Sequence, residues 1–172
     1  MKITCKLSNL DKAIKGVEEY QKRVLQKTQE LNARLAEYGG YVAKTKFSSA
    51  MYAGDNDVEI TVEPYDRGYK IIASGTAVLF IEFGTGTVNP EHPLGGQFGY
   101  LHGTYGKGQG NSTKYPKGWV YEGEQGNAGQ PIRGRIGVYR TMGNPASRSM
   151  YDTGKDLRQE LKRIAIEVFK NG

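Results

Sequence analysis

Apolar residues recur along the first quarter of the chain at alternating steps of three and four positions. This spacing places them on one narrow stripe of an α-helix, whose members are Leu10, Ile14, Val17, Val24, Leu31, Leu35 and Tyr38. Ser8 is placed to cap the amino end, and Gly39-Gly40 are predicted to close the helix. About thirty residues at a rise of roughly 1.5 Å each give a rod of about 45 Å.

A rod of this length overhangs any core that a chain of 172 residues can build. We expect it to lie across the protein's own sheet or along a neighbouring subunit. A coiled-coil dimer is the rival interpretation, but the polar residues Gln21 and Thr28 fall on the same stripe and count against it.

Beyond this helix the pattern changes. Tyr41 to Met51 is compatible with a second short helix, and Asp55-Asn56-Asp57 is typical of a turn. Val58 to Glu63 alternates apolar and acidic residues, and Tyr69 to Ser74 returns after a turn, which predicts an antiparallel hairpin. The apolar run Ala77 to Phe83 is too short for its period to separate strand from helix, and we favour a helical turn.

Glu82 is the one charged residue of this apolar run, which stops at Gly84-Thr85-Gly86. Glycine at these positions allows positive φ or close backbone approach, so the run delivers one carboxylate to the mouth of a turn. Carboxylates are rarely buried without partners. The simplest interpretation is therefore a core segment whose Glu82 leans to solvent or caps nearby amides.

From residue 84 to residue 130 the chain is rich in glycine and interleaves aromatic residues with lysines. A segment of this length without secondary structure is usually functional or disordered, and we expect it to be mobile in the free subunit. Short strands are predicted at Trp119 to Glu122 and at Ile136 to Arg140. A final helix is predicted after Gly143-Asn144-Pro145, with an apolar face formed by Leu157, Leu161, Ile164, Val168 and Phe169.

Together these elements predict one α+β domain over residues 1–172. A small antiparallel sheet packs against the long N-terminal helix and the C-terminal helix, and residues 84–130 form a long Gly-rich loop.

Composition narrows the classes of function. A net charge of +6 and a pI near 9.3 suit a polyanion, an acidic partner or solubility, while the mixed signs along the chain weaken a strong nucleic-acid assignment. Cys5 is the single cysteine, which excludes an intramolecular disulfide or a cysteine zinc site. The sequence has no signal-peptide core and no apolar run of membrane-spanning length, so we expect a soluble protein of a reducing cytoplasm.

Candidate catalytic groups are few. His92 and His102 are the only histidines, and with Glu82 they could form a two-His, one-carboxylate metal site or the acid–base set of a small hydrolase. A flexible Gly-rich frame does not preorganise such a site, and the chain has no Gly-x-Ser-x-Gly elbow and no phosphate loop. We therefore predict no catalysis, no metal and no cofactor.

The Gly-rich loop also supports a nucleic-acid alternative. Lys107, Lys114 and Lys117 alternate with aromatic residues, and on single-strand binding surfaces bases stack on such rings while cations follow the phosphates. A small basic nucleic-acid-binding module is therefore the alternative. Segments rich in tyrosine and glycine are also common protein contact surfaces, and we prefer that interpretation.

Six blocks of residues occur in a fixed order: Tyr52 to Val58, Ala73-Ser74-Gly75, Ala77 to Gly86, His92-Pro93, Asn144-Pro145 and Met150-Tyr151. In this order they resemble the neck or tail-completion family of long-tailed bacteriophages and prophages, whose members are often labelled minor capsid or head–tail joining proteins. The most specific part is Phe80-Ile81-Glu82-Phe83-Gly84-Thr85-Gly86. The N-terminal helix and the Gly-rich loop match in character only.

This resemblance implies a structural virion subunit that assembles as a ring, expected to be a hexamer, around the DNA channel. Its implied partners are the head connector or stopper and the tail terminator or tube proteins, with assembly in the host cytoplasm and no membrane. The implied role of the signature turn is structural or interfacial, and the turn comprises Phe80, Glu82, Phe83, Gly84, Thr85 and Gly86. The candidate contacts to channel DNA or to partners are Lys107, Lys114, Lys117, Arg133 and Arg135.

Overall fold

The computed structural model describes residues 7–52, 55–84, 92–98, 119–125, 129–141 and 143–170. Within them the fold is α+β, as predicted: a long N-terminal helix, two small antiparallel sheets, a short helix and a C-terminal helix. The helices are α1 (Leu7–Ser48), α2 (Val78–Phe83) and α3 (Ser149–Lys170). The strands are β1 (Glu59–Tyr65), β2 (Gly68–Ser74), β3 (Trp119–Glu122), β4 (Gln130–Pro131) and β5 (Val138–Thr141).

The first helix is longer than its sequence predicts. The prediction that Gly39-Gly40 close it is wrong, because α1 continues without a break to Ser48 and absorbs the second short helix. These glycines are buried where other elements approach closely. A Cβ on Gly39 would lie 2.5 Å from a methyl of Ile71, and one on Gly40 would lie 2.7 Å from a methyl of Val62. Glycine serves close packing here rather than termination, and the 42-residue helix is about 63 Å long.

The predicted hairpin is confirmed. β1 and β2 pair antiparallel with Val62 opposite Ile71 and Glu63 opposite Lys70. Asn32 of α1 donates from Nδ2 to the carbonyl of Arg67 at the hairpin tip, at 2.9 Å. The hairpin is therefore fastened along the second half of α1.

The helical interpretation of the apolar run before Gly84 is also confirmed, since that run forms α2. The buried apolar residues of the described ranges come from three helices and two flanking segments: Ala36, Ala43, Phe47, Ala77, Ile81, Ala146, Ile164 and Val168. They show that the core lies against the C-terminal half of α1. The apolar face predicted for α3 is only partly buried, because Leu161 and Phe169 keep 45% and 46% of their surface exposed.

A second sheet follows the Gly-rich segment. β5 lies between β3 and β4, antiparallel to both, so the small sheet of the sequence prediction is in fact two sheets. The strand at Trp119–Glu122 lies where it was predicted, and the next predicted strand begins two residues later, at Val138. Most of the 84–130 loop, and with it the prediction that the loop is mobile, lies outside the described residues.

The ends of α1 differ in their surroundings. Residues 9–26 are all exposed, and burial begins at Lys27.

Among the described residues, no helix combines the length and the hydropathy needed to cross a membrane.

Candidate functional site

Glu82 lies at the centre of a buried polar site in the described part of the chain. Its carboxylate is buried, and it accepts hydrogen bonds from the backbone amides of Met150 (2.7 Å, Oε2) and Tyr151 (3.0 Å, Oε1). These amides belong to the first turn of α3, where N–H groups have no partner within the helix and the helix dipole is positive. A carboxylate from α2 thus caps a helix that begins 67 residues further along the chain.

His92 supplies the third hydrogen bond to this carboxylate, with Nε2 at 2.9 Å from Oε1 of Glu82. Its Nδ1 accepts from the backbone amide of Leu94 at 3.0 Å, so Nε2 must carry the proton in the neutral ring. The side chain of His92 is 2% exposed and lies 4.4 Å from the Phe83 ring and 5.4 Å from the Tyr151 ring, between centroids. We call Glu82, His92 and the amides of Met150 and Tyr151 the Glu82 clamp.

The main chain around the clamp is equally engaged. The carbonyls of Ile81 and Glu82 accept from the amides of Ser147 (2.8 Å) and Arg148 (3.1 Å). Gly84 has φ +77°, and a Cβ there would lie 2.7 Å from the backbone nitrogen of Ala146. The end of α2 therefore docks on the segment that precedes α3, and glycine is required by both its dihedral angle and its contacts.

A second carboxylate holds the start of α2. Asp57 accepts from the amides of Thr76 (2.7 Å) and Ala77 (2.8 Å) and from the Thr76 hydroxyl (2.7 Å). The backbone hydrogen bonds from Thr76 and Ala77 lower the pKa of Asp57 to about 2. Carboxylates thus act on both sides of α2: Asp57 binds the two amides that precede the helix, and Glu82 ties its last turn to α3.

No family model, no curated protein and no solved structure matches this chain.

The clamp has little capacity left for acid–base chemistry. Both ring nitrogens of His92 are occupied, and the two oxygens of Glu82 share three hydrogen bonds. A general base needs a lone pair within reach of a substrate proton, and this pair is buried. Within the described ranges, no group of three or more His, Cys, Asp or Glu residues is placed to hold a metal ion.

The structure places the predicted site residues in three groups. Glu82, Phe83 and Gly84 meet at the clamp, and Phe80 is half-buried in α2. Arg133 and Arg135 are exposed on the turn between β4 and β5. The remaining ones lie outside the described residues: Thr85, Gly86, His102, Lys107, Lys114 and Lys117.

Sequence reasoning included capping by Glu82 but did not identify the helix that it caps. It also paired His92 with Glu82 only as a catalytic or metal-binding set. The missing signal lies at the start of α3, where the Ser149 hydroxyl bonds to the Ser147 hydroxyl at 3.0 Å. The free amides of Met150 and Tyr151 then need an acceptor from elsewhere in the chain.

Proposed function

We propose that this chain is a structural subunit of the neck of a long-tailed phage or prophage, where it helps to complete the tail and join it to the head as part of a ring. The observation that carries the proposal is the Glu82 clamp. The residues that resemble the family signature use their hydrogen bonds to join α2 to α3. This is a structural role for a motif that could otherwise be catalytic.

The exposed half of α1 also supports this proposal. Eighteen consecutive residues, 9–26, project beyond the core without burial. A helix of this kind is stabilised mainly by packing of its apolar face, so its sequence suits a subunit that completes its contacts on other chains. A net charge of +6 is compatible with a position near packaged DNA.

A hydrolase is the second candidate, because the structure brings Glu82 within 2.9 Å of His92. We rank it lower, since a catalytic dyad keeps one imidazole nitrogen available for substrate. Here the second nitrogen of His92, Nδ1, already accepts a hydrogen bond from the Leu94 amide. A nucleic-acid-binding module remains the third candidate. Arg133 and Arg135 flank an exposed turn next to the fully exposed Ile136, and such a turn also suits contact with protein.

The test uses infectious particles of the phage or prophage that encodes the chain. Gly84→Val should yield filled heads and finished tails that fail to join, or joined particles that leak DNA, as seen by electron microscopy of lysates. Glu82→Gln should abolish no hydrolytic activity of the purified protein. A normal particle yield from Gly84→Val, together with a hydrolytic activity that Glu82→Gln removes, would overturn the proposal.

Size measurement provides an independent check. Light scattering coupled to gel filtration should detect ring-sized oligomers, alone or after addition of tail proteins. Two results together would contradict the neck assignment. The protein would stay smaller than a ring under both conditions, and it would not restore head–tail joining when added to a mutant lysate that lacks it.

A further inference from the structure

The N-terminal half of α1 presents an apolar face that the described part of the chain leaves uncovered. Six large apolar side chains on it keep 36–60% of their surface exposed: Leu10, Ile14, Val17, Tyr20, Val24 and Leu25. A contiguous apolar surface of this kind usually marks an interaction site, whereas scattered single residues do not.

The six residues follow a seven-residue repeat. With Ile14 at position a, all of them fall at positions a, d, e and g, and from Lys12 to Gln26 the b, c and f positions hold only charged or polar residues and one glycine. This is the pattern of two helices that pack side by side. The polar residues Gln21 and Thr28, both at a positions, reduce stability but do not break the repeat, so the face fits another helix.

The hairpin and α3 fix the direction from which that helix can come. Lys46, near the end of α1, pairs with Asp156 of α3 at 3.1 Å, and Leu157 lies over Gly39. Nearer the middle of α1, Asn32 binds the hairpin tip. The uncovered face of α1 therefore begins where the hairpin and α3 leave the helix.

We propose that a second copy of this chain covers this face, with the N-terminal halves of two α1 helices packed antiparallel about a two-fold axis near residue 19. A parallel second helix would continue into the space that the hairpin and α3 fill, whereas an antiparallel one ends beside the hairpin tip. Each copy carries the same apolar face, so pairing needs no further component.

The antiparallel register matches the two faces. It places Ile14 of one copy against Val24 of the other, and Leu10 against Thr28. Beside Thr28, a groove of about 770 Å³ lies between the hairpin tip and α1 and is lined in part by Val24, Leu25 and Tyr69. It gives space for Leu10 of the second helix.

The size of the contact predicts a reversible dimer. About nineteen paired residues give a length of roughly 28 Å, and four of seven positions on a cylinder about 12 Å wide bury roughly 600 Å² per copy. The total of about 1,200 Å² lies at the lower limit of specific interfaces. Glu18 of each copy lies beside Glu18 of the other, which weakens the pair further.

This inference goes beyond the neck assignment and does not rest on it. A two-fold contact pairs copies two by two, whereas a ring is closed by head-to-tail contacts. We therefore assign the dimer to the free protein, in which no ring neighbour covers this half of α1.

Sedimentation velocity over a concentration series tests the pairing in the full chain. The wild type should show a monomer–dimer equilibrium. Val17→Glu should raise the dissociation constant of the dimer by at least about tenfold, because a charge would be buried between the two helices. Gln26→Glu is the matched control: it makes the same charge change on the opposite, polar face of α1, and should leave the dimer within about twofold of wild type.

Far-ultraviolet circular dichroism should confirm that both variants keep their helix content. A wild type that stays monomeric at about 200 µM, far above the dissociation constant of an ordinary specific interface, would overturn the proposal. So would a Val17→Glu variant that dimerises as well as Gln26→Glu does.

Cross-linking tests the orientation. In a Cys5→Ser background, Glu18→Cys should be joined by a short bismaleimide, because the two copies of residue 18 are adjacent. Leu10→Cys should not be joined, because its two copies lie about 27 Å apart in the antiparallel pair. Linkage at residue 10, or none at residue 18, would overturn the antiparallel arrangement.

Discussion

Replacing Glu82 with glutamine perturbs the Glu82 clamp with almost no change of shape. Oε1 of Glu82 accepts from His92 and from the Tyr151 amide, and Oε2 accepts from the Met150 amide. A carboxamide has one oxygen and one NH₂ group. Whichever way it is turned, the NH₂ group faces at least one N–H donor, and His92 cannot reverse its role while Nδ1 accepts from Leu94.

The expected loss of stability is that of the more favourable orientation of the glutamine side chain. This orientation keeps oxygen at the Oε1 position and leaves the Met150 amide without an acceptor. An unsatisfied buried donor costs about 1–3 kcal/mol. Losing the negative charge at the start of α3 costs about 0.3–1 kcal/mol more. We therefore expect Glu82→Gln to lower the free energy of unfolding by about 1.3–4 kcal/mol.

Urea unfolding followed by circular dichroism measures this loss. Glu59→Gln, the same change at an exposed position of β1, is the control and should stay within about 0.5 kcal/mol of wild type. Equal unfolding free energies for Glu82→Gln and Glu59→Gln would show that the clamp contributes nothing to stability. The structural account of the signature turn would then be wrong.

Three further predictions concern backbone positions and acid stability. Gly84→Ala should cost at least about 2 kcal/mol more than Gly134→Ala in urea unfolding, because both glycines have positive φ but only the first has backbone atoms against its Cβ position. Hydrogen bonding in the folded state lowers the pKa of Asp57 to about 2. The stability that Asp57 contributes is therefore complete above its pKa in the unfolded chain, near 4, and is lost as the pH falls toward 2. The melting temperature of Asp57→Asn should fall less over this pH range than that of wild type. Gly16→Ala should raise the unfolding free energy by about 0.5–1 kcal/mol, since its Cβ would meet open space. Gly39→Val should instead lower the unfolding free energy by about 1–3 kcal/mol through overpacking. A change of the same sign in both variants would contradict the account of how α1 packs.

The local elements could be predicted because their signals are short in range. The stripe from Leu10 to Tyr38 predicts α1, and the alternation at Val58 to Glu63 predicts β1. Gly39-Gly40 misled the prediction, because a glycine pair has the same sequence signature whether it ends a helix or admits a neighbouring element. Only the positions of Ile71 and Val62 decide between the two.

The candidate site shows the same division. The sequence by itself determined that one carboxylate, Glu82, sits at the end of an apolar run before a glycine turn, and that it needs partners if buried. Tertiary structure alone decided which partners it has: His92, ten residues away, and two amides at the start of α3, 68 and 69 residues away. Sequence distance carries no information about such contacts, because they form only when packing of α2 against the segment before α3 brings both ends together. The N-terminal half of α1 is a further case. Its apolar stripe is visible in the sequence, but only the fold shows that the described core leaves this stripe uncovered.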